Sequence, residues 1–223
     1  MTRLGYTDIT VLLDRSGSMT TVAEETKTGF DRFVEEQRKL PGECRLTLIQ
    51  FDTEYEPVYS GKPLAEVPPL ELQPRGWTAM CDALARAVTE TGRRLATMPE
   101  DERPSQVLFV VITDGLENAS REFGDRAGRK RVKQMVEHQA ECYRWQFVYL
   151  GANQDAVLEG GGLGVAANSA VNYASTPQGV LRTMACLSSA TSRYRQAGIP
   201  QCRGSYFSQD EQQRAVDPSG SQP

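Results

Sequence analysis

The sequence predicts an α/β fold built on a mostly parallel sheet. Two observations predict it. Runs of β-branched and aliphatic residues alternate with longer stretches of helical periodicity, the order expected when each strand is followed by a helix that crosses back over the sheet. The runs are also apolar almost without interruption, as in strands covered on both faces.

Taken in order, the strand segments are "DITVLL" (Asp8 to Leu13), "RLTLIQF" (Arg45 to Phe51), "VLFVVIT" (Val107 to Thr113) and "WQFVYLG" (Trp145 to Gly151). "EYEPVYS" (Glu54 to Ser60) follows "FDT" closely and contains Pro57, so it reads as a hairpin strand at the sheet edge. Helices are expected over Thr20 to Leu40, stopped by Pro41-Gly42, and over Thr78 to Met98, stopped by Pro99. Two more cover Arg126 to Arg144 and Thr176 to Ala197, the latter opening with a threonine cap followed by proline. "EGGGLG" (Glu159 to Gly164) neither follows the first strand nor opens a clear helix, so it reads as a flexible loop rather than a phosphate cradle.

The chain has 223 residues, enough for one sizeable core. One domain is expected over residues 1–199, with 200–223 as a polar C-terminal tail, flexible alone or ordered only by docking. A net charge of -4 gives no sign of a nucleic-acid or membrane-surface protein and is otherwise uninformative about partners; no membrane and no nucleic-acid partner are expected. The basic run Arg126, Arg129, Lys130, Arg131 and Lys133 lacks interleaved aromatics and reads as a solvated helix face. The first apolar run, Ile9 to Leu13, is too short for a signal peptide or a membrane span. Five cysteines without C-x-x-C spacing suit reduced thiols in a cytoplasm. The single histidine, His138, excludes zinc sites built on several histidines and most Ser-His-Asp arrangements.

Ligands of open parallel sheets bind at the carboxyl ends of the strands. Asp14, Ser16 and Ser18 end the first strand in "VLLDRSGSMT", Asp114 ends "VVITDG", and Thr78 in "RGWTAM" precedes a helix at the same edge. Two carboxylates and three hydroxyls are hard oxygen donors, suited to Mg²⁺ or Mn²⁺. Two carboxylates leave such a cation able to take one more anionic oxygen, which a protein partner's Asp or Glu can supply. Gly17 permits the tight turn between the serines.

"DRSGS" is D-x-S-x-S, and with Thr78 and Asp114 it resembles the metal-ion-dependent adhesion site (MIDAS) of von Willebrand factor A (vWA) domains. The resemblance covers about 200 residues and implies the Rossmann-like three-layer vWA fold: a mostly parallel central sheet with one antiparallel edge strand and helices on both faces. It also implies that Ser16 and Ser18 bind Mg²⁺ directly, that Asp14 holds it partly through water, and that Thr78 and Asp114 exchange direct for water-mediated ligation. The phrases "DRSGSM", "WTAMCDAL", "ITDGLENASREF" and "NYASTPQG" look closest to small stand-alone vWA proteins of bacteria and their phages.

The expected function is therefore a non-enzymatic, metal-dependent protein–protein interaction module in a bacterial or phage-infected cytoplasm. Arg15, Met19 and Trp77 flank the ligands as a partner rim, with Glu117 and Asn118 as further rim candidates. Cys81 reads as a small buried residue under the metal loop. The alternatives are a Mg²⁺-dependent phosphohydrolase using the same crevice, disfavoured by the want of an evident nucleophile or D-x-D motif, and a self-associating structural subunit. In the last case Asp210 or Glu211 of the tail could reach a neighbouring molecule's metal.

Overall fold

The computed structural model describes residues 2–152, 155–198 and 205–216. Along the chain, strands β1 (Arg3–Asp14), β2 (Glu43–Phe51), β3 (Tyr55–Pro63), β4 (Pro104–Thr113), β5 (Gln146–Ala152) and β6 (Ala170–Tyr173) alternate with helices α1 (Ala23–Arg38), α2 (Met80–Ala96), α3 (Arg126–Tyr143), α4 (Ala156–Gly162), α5 (Pro177–Gln196) and α6 (Gln209–Val216). The strands form one sheet in the order β3-β2-β1-β4-β5-β6. Only β3 runs antiparallel, against β2, as its proline and short hairpin connection require.

The alternation along β1 and β4 explains the uninterrupted apolar runs. Ile9, Val11 and Leu13 of β1 and Leu108, Val110 and Ile112 of β4 face a core shared with Phe30 and Phe33 of α1 and Leu187 of α5. Leu12, Phe109 and Val111 point the other way, onto Leu84 and Val88 of α2 and Val132 and Val136 of α3. Helices thus cover both faces. After β3 the chain returns to lay β4 beside β1, so the direction of strand addition reverses between these two. The crevice lies there, with Leu13 paired to Ile112 one step below the strand ends.

Two segments differ from expectation, and a third takes one of the two forms expected of it. β6 is only four residues long and includes Asn172, too short for a periodicity reading. The "EGGG" stretch is helical rather than a flexible loop: the Asp155 side chain caps α4 by accepting from the Val157 and Leu158 N–H groups, at 3.1 and 3.0 Å. Gly160 is needed because a Cβ there would lie 3.2 Å from the Tyr149 Cβ, so glycine lets α4 approach β5.

The third is the expected polar tail, of which residues 205–216 are ordered by docking onto α5 and β6. Tyr206 and Phe207 are buried, the Phe207 N–H donates to the Asn168 carbonyl at 3.3 Å, and Tyr206 Oη lies 2.7 Å from Thr191 Oγ1. Glu211 accepts two hydrogen bonds from Arg193, at 2.6 and 2.7 Å, so it is committed within its own molecule rather than free to reach another. Two aromatics and one paired acid suffice to hold a segment whose average composition is polar. Residues 200–204 and 217–223 of that expected tail lie outside the described residues. Among the described residues no helix is long and apolar enough to cross a membrane.

Candidate metal centre

β1 carries Asp14 to the crevice fully buried. Its Oδ1 accepts from the Ser16 N–H at 2.7 Å, which bends the chain out of the strand, and its Oδ2 accepts from Thr113 Oγ1 at 2.6 Å, which ties β1 to β4. The chain then winds through a 3₁₀ turn, Gly17–Val22, whose Met19 and Val22 are buried in the core. That anchoring holds Ser16 and Ser18 on the open side of the turn, with their hydroxyls 3.0 Å apart. Ser18 Oγ donates to Asp114 Oδ1 at 2.5 Å.

Thr78 arrives from the connection between β3 and α2. Its N–H donates to Asn118 Oδ1 at 2.8 Å, and its carbonyl accepts from the Asn118 and Ala119 N–H groups at 3.0 and 3.2 Å. The five expected ligands are thereby brought to one crevice. A Cβ built on Gly115 would stand 3.2 Å from Thr78 Oγ1, 3.3 Å from Ser18 Oγ and 4.0 Å from Ser16 Oγ. Three hydroxyls from two separate loops therefore crowd the position a Cβ of residue 115 would take, which the glycine leaves clear.

The electrostatics of that space favour a cation. Burial pushes the Asp14 carboxyl up to about 6, against the hydrogen bonds from Thr113 and Ser16 that pull it down. Burial likewise raises Asp114, opposed by the Ser18 hydroxyl. A positive ion would relieve both carboxylates. Among the described residues no group of three or more His, Cys, Asp or Glu side chains is placed to hold a metal, so any metal here would lean on hydroxyl oxygens as well. Hydroxyls with two carboxylates make a donor set fit for a hard divalent ion.

The expected rim is only partly a rim. Met19 is fully buried and serves as the anchor just described, because its apolar side chain gains more under the loop than in water. Arg15 is also buried, paired through Nε to Asp52 Oδ2 at 2.8 Å and through Nη1 to Glu56 Oε2 at 2.6 Å. Trp77 stands in solvent. Asn118 is exposed but spends its carbonyl oxygen on Thr78. Glu117 is a brace: its carboxylate accepts from the N–H groups of Cys81, Ala119 and Ser120 and from the Ser120 hydroxyl, at 2.7 to 3.0 Å. It thereby satisfies an orphan donor in the first turn of α2. Cys81 is buried beneath, its thiol pushed up to about 12 by burial and then by Glu117.

Several supporting residues carry no sequence motif. Thr113 binds Asp14 from the next strand, and Asp82 accepts from the N–H groups of Arg121 and Phe123, at 2.7 and 2.8 Å, to shape the loop after Asp114. Asp52 joins three loops. It accepts from Arg15, from Arg75 Nε at 2.9 Å and from the Glu54 N–H at 2.6 Å, while its own carbonyl accepts from the Ala79 N–H at 3.0 Å. The only sequence signal for Asp52 is its place just past the end of an apolar strand, in "FDT".

No family model and no curated protein matches the chain. Solved structures do. Proximal thread matrix protein 1 from the mussel byssus, in a structure with a zinc-occupied MIDAS motif, superimposes with a TM-score of 0.58 at 17% identity over 85% of this chain and 46% of that one. A von Willebrand factor type A protein from Catenulispora acidiphila gives 0.56 at 17% identity over 83% and 42%, and the ArnB paralog VWA2 from Sulfolobus acidocaldarius gives 0.50 at 16% over 79% and 43%. The chain spans less than half the length of each of these structures. At such identities the likeness concerns architecture, and on that architecture, with its six-stranded sheet, single antiparallel edge and two helical layers, the chain has the vWA fold.

Proposed function

We propose that the chain is a metal-dependent interaction module whose Asp14, Ser16, Ser18, Thr78 and Asp114 hold Mg²⁺ or Mn²⁺ and present it to a carboxylate of a protein partner. The observation that carries this reading is the convergence of the Thr78, Ser18 and Ser16 hydroxyls on the space beside Gly115, with the carboxylates of Asp14 and Asp114 hydrogen-bonded around it. When bound, the cation supplies a positive centre for an anionic oxygen. The protein's part is preorganisation: Asp14 fixes the Ser16 turn, Thr113 fixes Asp14, and Asn118 fixes Thr78.

The reading takes residues 1–199 as one vWA domain working in a cytoplasm. Cys44, Cys81, Cys142 and Cys186 being unpaired is in keeping with that setting.

The test is calorimetric titration of the metal-free protein with Mg²⁺ and Mn²⁺, for wild type and Asp14→Ala, followed by affinity capture with metal or chelator. Metal binding and metal-dependent capture, both lost in the variant, are expected. Capture that is unchanged by chelator would overturn the reading. Metal binding that raises the melting temperature without affecting any association would assign the ion to folding alone.

A further inference from the structure

At the amino-terminal edge of the sheet, opposite the hydroxyl cluster, a cavity of about 620 Å³ opens between the starts of β1 and β4 and the ends of α2 and α3. That volume lies within the range of small-molecule sites, about 300–1,000 Å³. Its floor is apolar and closely packed: Leu95, Val107 and Trp145 are each at most 7% exposed, and the Trp145 ring lies against Phe147 with centroids 6.2 Å apart. The β1–β4 pairing slips between Arg3 and Thr7, and Leu4 from that slip forms one wall while Tyr143 forms another. Arg103 also lines the cavity but donates to the Ala96 and Met98 carbonyls, both at 2.9 Å, so its guanidinium is tied to the end of α2.

The mouth carries a nucleophile beside a base. Cys142 and His138, one turn apart on α3, both line the cavity, and Cys142 Sγ lies 3.5 Å from His138 Nδ1. The imidazole is held edge-on to the Tyr143 ring, with centroids 5.8 Å apart and planes at 75°. Cys44, Cys81 and Cys186 are buried, so among the described residues Cys142 is the cysteine open to solvent. Backbone geometry sets the adjoining wall: Arg144 takes the left-handed conformation, φ 59°, and the Trp145 N–H donates back to the Gln139 carbonyl at 3.2 Å, which turns the chain from the helix into the floor. Cys142 sits in the last turn of α3, the negative end of the helix, where a free thiolate gains nothing. Attack by this sulfur therefore requires a base that takes its proton as the new bond forms, the part for which His138 is placed.

We propose that this cavity binds a small, planar, conjugated carbonyl compound, and that Cys142 Sγ adds to its β-carbon with His138 as the base. In the tautomer that carries its proton on Nε2, His138 accepts at Nδ1. The S–H bond breaks as its proton passes to that nitrogen, the S–C bond forms at the β-carbon, and the C=C π pair moves to the α-carbon. The imidazolium then returns the proton to the α-carbon, so the thiol is added across the double bond and no oxidant or reductant is needed. The apolar floor matches a conjugated body, and the nucleophile at the mouth matches its electrophilic end. A peptide disulfide such as glutathione disulfide is a poorer match, because its charged arms would meet that floor while Arg103 is already committed. The site lies at the opposite edge of the sheet from the metal centre and does not depend on it.

The probes are N-(2-naphthyl)acrylamide, acrylamide and glutathione disulfide, applied to the full chain and followed by intact mass and peptide mapping. Each rate is divided by that of the same probe with N-acetylcysteine. The naphthyl probe is expected to give one adduct, at Cys142 and absent from Cys142→Ser, with a rate that saturates with concentration and a normalised value at least about tenfold above that of acrylamide. His138→Gln should lower the maximal rate at least about tenfold while leaving the half-saturating concentration unchanged, which separates a base from a structural residue. Tyr143→Ala, at an exposed wall, should raise the half-saturating concentration and leave the maximal rate alone. A rate linear in probe concentration, equal normalised rates for the two acrylamides, an adduct on another cysteine, or a His138→Gln variant that labels as fast as wild type would each overturn the proposal. Faster normalised reaction with glutathione disulfide would overturn it in favour of thiol–disulfide exchange.

Discussion

Replacing Asp52 by alanine removes the acceptor that joins the loops carrying Arg15 and Arg75 to the turn after β2. Arg15 is 6% exposed and Asp52 2%, so their 2.8 Å pair lies out of water. Burial works against the Asp52 charge, but Arg75, the Glu54 N–H and Arg15 outweigh it and hold the carboxyl below its ordinary value. Deleting the anion strands a buried guanidinium whose Nη2 already has no partner and whose remaining acceptor, Glu56, is more than half exposed. Removing one member of a buried pair costs about 3–5 kcal/mol, and the solvent-exposed Arg75 pairing adds at most about 1 kcal/mol. For a domain of this size about 4 kcal/mol corresponds to a fall in melting temperature of roughly 10 °C. The assay is urea unfolding of wild type, Asp52→Ala, Arg15→Met and the double variant. The double variant should recover most of the loss suffered by Asp52→Ala, because an apolar side chain is cheaper to bury than an unpaired charge. An Asp52→Ala loss below about 1 kcal/mol, or a double variant no better than Asp52→Ala, would refute the claim that this pair holds the loops through a buried charge.

Other positions give separate tests. Gly115→Ala should leave folding intact but weaken Mg²⁺ binding at least tenfold in calorimetry, because the added methyl would stand 3.2 and 3.3 Å from the Thr78 and Ser18 hydroxyls. At Gly29 a Cβ would meet Met184 Cγ at 2.7 Å across the contact between α1 and α5, so Gly29→Ala should cost about 1–2 kcal/mol in urea unfolding. A gain in stability, as helix propensity alone demands, would disprove that close approach. Burial opposes the Glu211 charge, but the Arg193 and Ser208 hydrogen bonds prevail and lower its carboxyl below the ordinary 4.5. Its stabilisation of α6 is therefore complete above that value and lost as pH falls through the lower folded value. Hydrogen exchange over residues 209–215 should accelerate in that acid window before the sheet does, and uniform protection would count against it.

Much of the architecture was legible because burial leaves a plain signature in composition. Strands covered on both faces are apolar along most of their length, with the few buried polar residues paired, so β1, β2, β4 and β5 stand out in the sequence. Proline marked the edge strand β3 for an equally local reason. β6 and α4 escaped because one is too short to display a period and the other is glycine-rich where it approaches Tyr149. The docking of residues 205–216 depends on partners distant in the chain, chiefly Arg193 and Thr191, and a polar average hides two aromatic anchors.

The site divides along the same line. D-x-S-x-S, Thr78 and the strand-final Asp114 name the donor types, since hard oxygens at strand ends depend on residue identity and order alone. Which flanking residues face solvent is a matter of three-dimensional packing: Met19 turns inward as an anchor, Arg15 is drawn in by Asp52, and Trp77, its backbone N–H bound to Thr53, is left exposed. Side-chain direction on a loop follows from contacts made by residues 35 to 100 positions away, such as Asp52 for Arg15, Asn118 for Thr78 and Thr113 for Asp14. The linear order therefore specified the fold class and the chemistry of the donors. Their convergence beside Gly115 arises only once the chain has closed on itself, because the forces that orient loop side chains act through space between segments the sequence keeps apart.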